Sequence, residues 1–181
     1  KAGIFTNFSQ DHLDYHKSMK SYLNSKLILF NDIFSKNKVI ISDKFLKEFS
    51  ILKKISLKKN LRLIDINKIM KKLQRNKNLK LNEFQLKNLS MSIIAAKLCN
   101  LKERKIFNTL NKIKDVDGRL ELARVFPNNI KVFVDFAHTP DALTKSIDSL
   151  TATNGENISL VFGCGGERDF IKRPLLGKKA S

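Results

Sequence analysis

The chain has 181 residues, 35 Lys and Arg against 17 Asp and Glu, a formal charge of +18, and is 42% apolar. That length is enough to bury a sizeable core, as one ordinary domain or as pieces of two. Its apolar runs are short and broken by lysine, which argues against a membrane-spanning helix, and no charged-then-apolar leader opens the sequence. Cys99 and Cys164 stand far apart with no paired spacing, which argues against a disulfide scaffold or a zinc ribbon and suits a cytoplasmic protein. A pI near 10.0 is common in nucleic-acid-binding domains. Here, however, the lysines run through the whole chain and aromatic residues do not interleave with them as stacking platforms. Most of the charge therefore reads as compositional, leaving a surface suited to anionic small molecules. The start, Lys1-Ala2-Gly3, lacks an initiator methionine and points to an internal piece of a longer protein.

In chain order, residues 2–5 read as the end of a strand that opens into the loop Thr6-Asn7-Phe8-Ser9. Ser9 is placed to cap a short helix with acids in its first turn. Ser18 opens a second helix, in which Met19, Tyr22, Leu23, Lys26, Leu27 and Phe30 recur at three- and four-residue spacing. Lys38-Val39-Ile40-Ile41-Ser42 is a buried strand. From 44 to 80 the pattern weakens: FLKEFSILKKI and INKIMKKLQRN each suit a helix, 61–66 a strand, and 71–80 an exposed connection. FQLKNLSMSIIAAKLCN is helical, 102–113 forms a further helix, and Asp117-Gly118-Arg119 breaks the pattern.

The tail changes character. Residues 130–136 are a strand, Thr139-Pro140-Asp141 starts a helix with Pro at an early position, and 158–162 is a second strand running into Gly163-Cys164-Gly165-Gly166. Strand, helix, strand at this spacing predicts a βαβ unit with parallel pairing. The fold class is α/β, with a domain boundary near 115–119.

Three segments carry chemistry. His12 and His16 lie four apart in HLDYH, a spacing that lets two imidazoles share a metal on a helix, but the glutamate of HExxH zinc proteases is missing and an exposed pair with no role is the plain alternative. VDFAHTPDAL puts Asp135 at the carboxyl end of a strand and His138 in the following turn, where open α/β sheets bind ligands; a simple helix cap is the competing reading. GCGG follows a strand without the full GxGxxG spacing, and Arg168 just after it suits either a carboxylate clamp or a solvated helix start.

Taken together and in order, TNFSQDHLDYH, SYLNSKLILF, FQLKNLSMSIIAA, DGRLE, VDFAHTPDAL and GCGGERDFIKRP resemble the Mur ligase family, and within it the MurE type. The resemblance covers about residues 2–30 and 83–180; 45–80 does not match, and looks short for the strand-rich stretch that the family carries there. It implies part of the central ATP-binding domain (parallel sheet, flanking helices) over 1–116, lacking the P-loop, then the start of a Rossmann-like C-terminal domain over 117–181. It also implies an ATP-dependent ligase of peptidoglycan precursor synthesis, adding the third amino acid to UDP-MurNAc-L-Ala-D-Glu through an acyl phosphate. The implied cofactors are ATP and Mg2+. The implied partners are that nucleotide-linked dipeptide and a diamino acid, meso-diaminopimelate rather than L-lysine; a monomer, with no specific nucleic acid and no membrane, is expected.

By the same resemblance, His12 is a magnesium ligand and Lys26 a lysine carbamylated by carbon dioxide, which turns a cation into an anionic oxygen ligand. Asn88 lies beside the adenine, Arg119, Asp135 and His138 contact the nucleotide, and Arg168 meets the incoming amino acid. Asp11, Asp14 and His16 have only a supporting role. No Gly-rich loop ending in Gly-Lys-Ser/Thr occurs in these residues, so the chain alone is expected to be inert. Two alternatives stay open: a basic nucleic-acid-binding module and a degenerate relative of the ligases.

Overall fold

A computed structural model of the chain describes residues 1–76, 79, 81–155, 157–165 and 170–181. Strands β1 (Ala2–Phe5), β2 (Val39–Ser42) and β3 (Arg62–Asp65) form a parallel sheet in the order β1-β2-β3, with Phe5, Ser42 and Asp65 in register at its carboxyl edge. All four residues of β2 are buried, which accounts for its run of three apolar residues before Ser42.

Successive side chains of a strand point to opposite faces, and β2 divides its residues accordingly. Ile40 joins Phe5, Leu27, Phe30, Leu52, Ile55 and Leu61 in one cluster, so α2 (Met19–Ile28) and α3 (Phe49–Lys59) cover that face. Val39 and Ile41 join Ile66, Met91 and Ile94 in another, so α5 (Glu83–Leu98) covers the opposite face. A third cluster, around Leu73, Leu86, Ile93 and Leu110, ties α4 (Asn67–Gln74) to α5 and to α6 (Glu103–Asn108). Gly3 in β1 has a steric reason: a Cβ there would lie 2.8 Å from Phe34 Cζ and 2.9 Å from Phe30 Cε1. Asn82 starts α5 with a capping box, its side chain accepting from the Gln85 N–H while the Gln85 side chain accepts from the Asn82 N–H.

The chain divides into two compact units, one comprising Lys1–Phe8 and Lys20–Lys112, the other Ser9–Met19 and Ile113–Ser181. In the second unit, α1 (Leu13–His16) is a single turn, β4 (Glu121–Val125) pairs antiparallel with β5 (Lys131–Val134), and α7 (Pro140–Asn154) packs with α8 (Lys172–Ala180). Among the described residues of that unit, Leu143 and Leu176 are the buried apolar side chains.

Several expectations are corrected. The helix after the first loop is not capped by Ser9; His12 takes that place in a left-handed conformation (φ 55°), which stops the helix from starting earlier. Among the described residues 158–162 form no strand, and β5 is paired antiparallel with β4 rather than in a parallel βαβ unit. A strand needs a ladder and a face to bury against; Val161 is 98% exposed and has neither. The stretch 71–80 is not all exposed connection, because α4 runs to Gln74 and Leu73 is buried. The helix over 102–113 is broken: Thr109 turns its hydroxyl onto the Ile106 carbonyl, and a 3-10 turn at Leu110–Lys112 follows.

Phe30 is 1% exposed and bridges β1, β2 and α3 through its cluster. Phe30→Ala is expected to cost about 3–5 kcal/mol in urea unfolding of this chain. Phe45→Ala, at a ring that is 73% exposed, is expected to stay within about 0.5 kcal/mol.

Candidate active site

Asp11 is the centre of the polar arrangement in the second unit. Its Oδ1 accepts from the His12 backbone N–H at 2.9 Å and from the Lys172 ammonium. Its Oδ2 lies 3.2 Å from His12 Nε2 and 3.6 Å from His138 Nε2. The carboxylate is 16% exposed and the Lys172 side chain 13%, so this pair is largely withdrawn from water, unlike an ordinary surface ion pair. Burial alone would raise the Asp11 carboxyl; the hydrogen bonds from Lys172 and the His12 N–H, with the positive charge beside them, outweigh it and hold the group below the ordinary carboxylate range.

Each partner is positioned locally. His12 is held at the mouth of α1 by its own carbonyl, which accepts from the Tyr15 and His16 N–H groups. His138 has Nδ1 at 3.0 Å from the Phe136 carbonyl and its ring edge-on to Phe136. Thr139, directly after it, caps α7 by accepting from the Ala142 N–H, with Pro140 opening the helix. Lys172 is the first residue of α8.

Asp135 anchors the same unit. Its carboxylate accepts from the N–H groups of Leu120 and Ala137, both at 2.8 Å, and from the Ser146 hydroxyl at 3.0 Å. The turn after Gly118, the strand end and α7 are thereby tied to one side chain. Arg119 stacks its guanidinium over Phe136 at 4.5 Å, so Arg119, Asp135, Phe136 and His138 form one neighbourhood.

Lys26 and Asn88 belong to the first unit, whereas His12 belongs to the second. Lys26 is half-buried, with its ammonium 4.9 Å from the centre of the Tyr22 ring. Asn88 has an exposed position on α5, one residue after Lys87. His16 packs edge-on against Tyr15. No group of three or more His, Cys, Asp and Glu side chains suited to a metal occurs among the described residues. Arg168, the expected amino-acid clamp, lies outside the described residues.

Sequence reasoning passed over Asp43. It follows β2 directly, is 1% exposed, and its Oδ1 accepts from the Phe45 N–H and the Asn67 amide, both at 3.0 Å. Its Oδ2 faces the Lys87 ammonium at 3.1 Å, and Lys87 also pairs with Glu83 at 2.7 Å. Asp65, at the end of β3, accepts from the same Asn67 amide at 2.6 Å. The neighbouring groove, about 590 Å³, is lined by Phe45, Asn67, Lys71, Glu83 and Lys87 among others. An acid placed immediately after the buried strand Val39–Ser42 was the available signal, because the carboxyl edge is where open parallel sheets collect polar groups.

Comparison with known proteins decides the family. Residues 1–113 match the Mur ligase middle domain, and 118–181 match the Mur ligase glutamate ligase domain. The chain belongs to the Mur ligase family. It is 35% identical to the UDP-N-acetylmuramoyl-L-alanyl-D-glutamate--2,6-diaminopimelate ligase of Rickettsia bellii, over 99% of this chain and 42% of that protein. Similar ligases of the same name occur in Buchnera aphidicola (35% identical, 97% of this chain, 40% of that protein) and, numbered 1, in Clostridium acetobutylicum (36%, 100%, 41%). The chain therefore spans about two fifths of the length of the curated Mur ligases it matches. No described helix is long and apolar enough to cross a membrane.

Burial alone would raise Asp43, but the Phe45 N–H, the Asn67 amide and Lys87 hold it below its ordinary value. Its contribution to stability is therefore complete above the ordinary carboxylate range and lost as pH falls through the lowered folded-state value. Urea midpoints of this chain should fall with acidification, and less steeply in Asp43→Asn. Lys87→Met, which strands the buried carboxylate, should cost about 3–5 kcal/mol at neutral pH.

Proposed function

We propose that these residues are part of an ATP-dependent ligase that joins meso-diaminopimelate to UDP-MurNAc-L-Ala-D-Glu. One observation carries the reading: DHLDYH, DFAHTPDAL and the KRP helix, far apart in sequence, meet at the Asp11 carboxylate. Support for the substrates comes from the names of the relatives, which specify that dipeptide and 2,6-diaminopimelate. In this reading the chain carries the later part of the central domain over 1–116 and the beginning of the C-terminal domain over 117–181.

The residues fit the expected metal in their chemistry. His12 keeps 56% of its side chain exposed, open to a hydrated ion. Magnesium keeps several waters and takes few protein ligands, with phosphate oxygens completing its shell. His12 would offer it one ligand, and Lys26 would offer its own as a carbamate, formed when the neutral amine adds carbon dioxide and releases a proton. When bound, the ion would screen charge between the two anionic reactants.

The remaining work falls to the chain's own side chains. Arg119, Asp135 and His138 engage the nucleotide, with Asp135 already fixed by three hydrogen bonds. Asn88 presents its amide to the base from α5, and Arg168 receives the carboxylate of the amino acid through a planar guanidinium. Lys172 and the two imidazoles put donors beside groups that gain negative charge as the carboxylate becomes an acyl phosphate and the amine displaces phosphate.

The test is phosphate release by the longest reading frame that contains these residues, given ATP, the nucleotide dipeptide and either diaminopimelate or L-lysine. Release that depends on diaminopimelate is expected, and Lys26→Ala should lower it by roughly 10²–10³-fold, the scale of losing one electrostatic group from an active site. The 181-residue chain by itself should release none. Equal release with L-lysine would overturn the substrate, and no release by the longer frame would overturn the activity.

A further inference from the structure

Asp11 was expected to do no more than support its motif, yet both of its carboxylate oxygens are engaged by groups from three separate segments. Oδ1 accepts from the His12 N–H and from Lys172, which is 161 residues away in sequence. Oδ2 faces the Nε2 atoms of His12 and His138 at 3.2 and 3.6 Å. A carboxylate offers about four acceptor sites, and those of Asp11 take two hydrogen bonds, from the His12 N–H and Lys172, and face two imidazole nitrogens, that of His138 the more distant. That arrangement leaves it badly placed to ligate a metal itself and well placed to set the groups around it.

The two histidines are also held by their own segments. The His12 carbonyl accepts from the Tyr15 and His16 N–H groups, and His138 Nδ1 lies 3.0 Å from the Phe136 carbonyl. The His138 imidazole is thus held at one ring nitrogen by its local backbone and met at the other by Asp11, whereas for His12 the local bonds hold the backbone and Asp11 meets the ring. Two points fix a planar ring where one leaves it free to swing. Lys172 lies at the start of α8 with only 13% of its side chain exposed, so without Asp11 its ammonium would be largely desolvated and unpaired.

We propose that Asp11 is a positioning residue, whose single carboxylate orients the His12 and His138 rings and the Lys172 ammonium toward one another as a unit. Its catalytic meaning rests on the ligase reading above; its geometric content does not. Carboxylates that orient a ligating or reacting histidine commonly matter about 10- to 100-fold in activity or affinity when removed. Asp11 differs from the usual case in serving two histidines and a lysine together.

The chain's three histidines make the test direct, because His16 is an internal control. Side-chain nitrogen resonances of the 181-residue chain, labelled at histidine, would be compared at one fixed pH in the parent, Asp11→Asn and Lys172→Met, with circular dichroism as the check on fold. The expected result is that His12 and His138 shift together in both variants while His16 stays, and that Asp11→Glu returns them part of the way. In the longer reading frame, Asp11→Asn should lower kcat about 10- to 100-fold and leave the KM for ATP nearly unchanged.

Folded variants in which His12 and His138 keep their parent resonances would overturn the proposal. So would equal movement of all three histidines, or loss of the fold in both variants, since either makes Asp11 a general structural residue. Coupled shifts without any diaminopimelate-dependent phosphate release would sustain the geometric role and overturn the ligase reading instead.

Discussion

The first unit follows from the burial of β2 on both faces. Once Ile40 must be covered on one side and Val39 and Ile41 on the other, helices are required above and below, and the register with β1 and β3 is fixed. A slip of one residue would exchange the two faces and break both clusters at once. Gly3 belongs to the same constraint, because the rings of Phe30 and Phe34 occupy the space that any side chain there would need. Parallel pairing then aligns the carboxyl ends of all three strands, and polar groups with no place in the core gather at that edge: Ser42 donates to the Phe5 carbonyl, while Asp43 and Asp65 share the Asn67 amide.

The second unit is organised differently. Among its described residues there is little apolar burial and much polar tethering: Asp135 ties a turn, a strand end and α7, and Asp11 ties α1, the His138 turn and α8. Leu143 and Leu176 supply apolar packing, while Leu122, Val125, Val132 and Val134 of the hairpin remain substantially exposed. In such a unit two carboxylates do much of the work that an apolar core does elsewhere, and each does it by accepting several donors in a fixed geometry.

Much of the fold was legible because periodicity is a local signal. The apolar run at 39–41, the helix that begins at Met19, and Thr139-Pro140 as a helix start appear as read, although that helix ends at Ile28 and Phe30 falls in the π-helical turn Leu29–Ile33 that follows. What escaped depends on distant or competing partners. Residues 158–162 have the composition of a strand but no ladder, and a composition cannot supply its neighbour. Ser9 looked like a helix cap because serine usually is one, whereas the backbone turns at His12 instead. Among site residues, Asp135 and His138 were marked by their place at a strand end, while the importance of Asp11 was invisible without Lys172 beside it. Asp43 carried a readable signal that the weak pattern of the following segment obscured.

The segment Ser9–Met19 lies between two stretches of the first unit yet belongs to the second. The chain therefore leaves one unit, contributes to the other, and returns before it has built β2. No single cut can part them cleanly: a division near Ile113 would leave α1 attached to the wrong piece and deprive α8 of its carboxylate. On the ribosome, too, Asp11 is made early and must wait for Lys172, so this polar cluster can assemble only after nearly all of these residues have emerged.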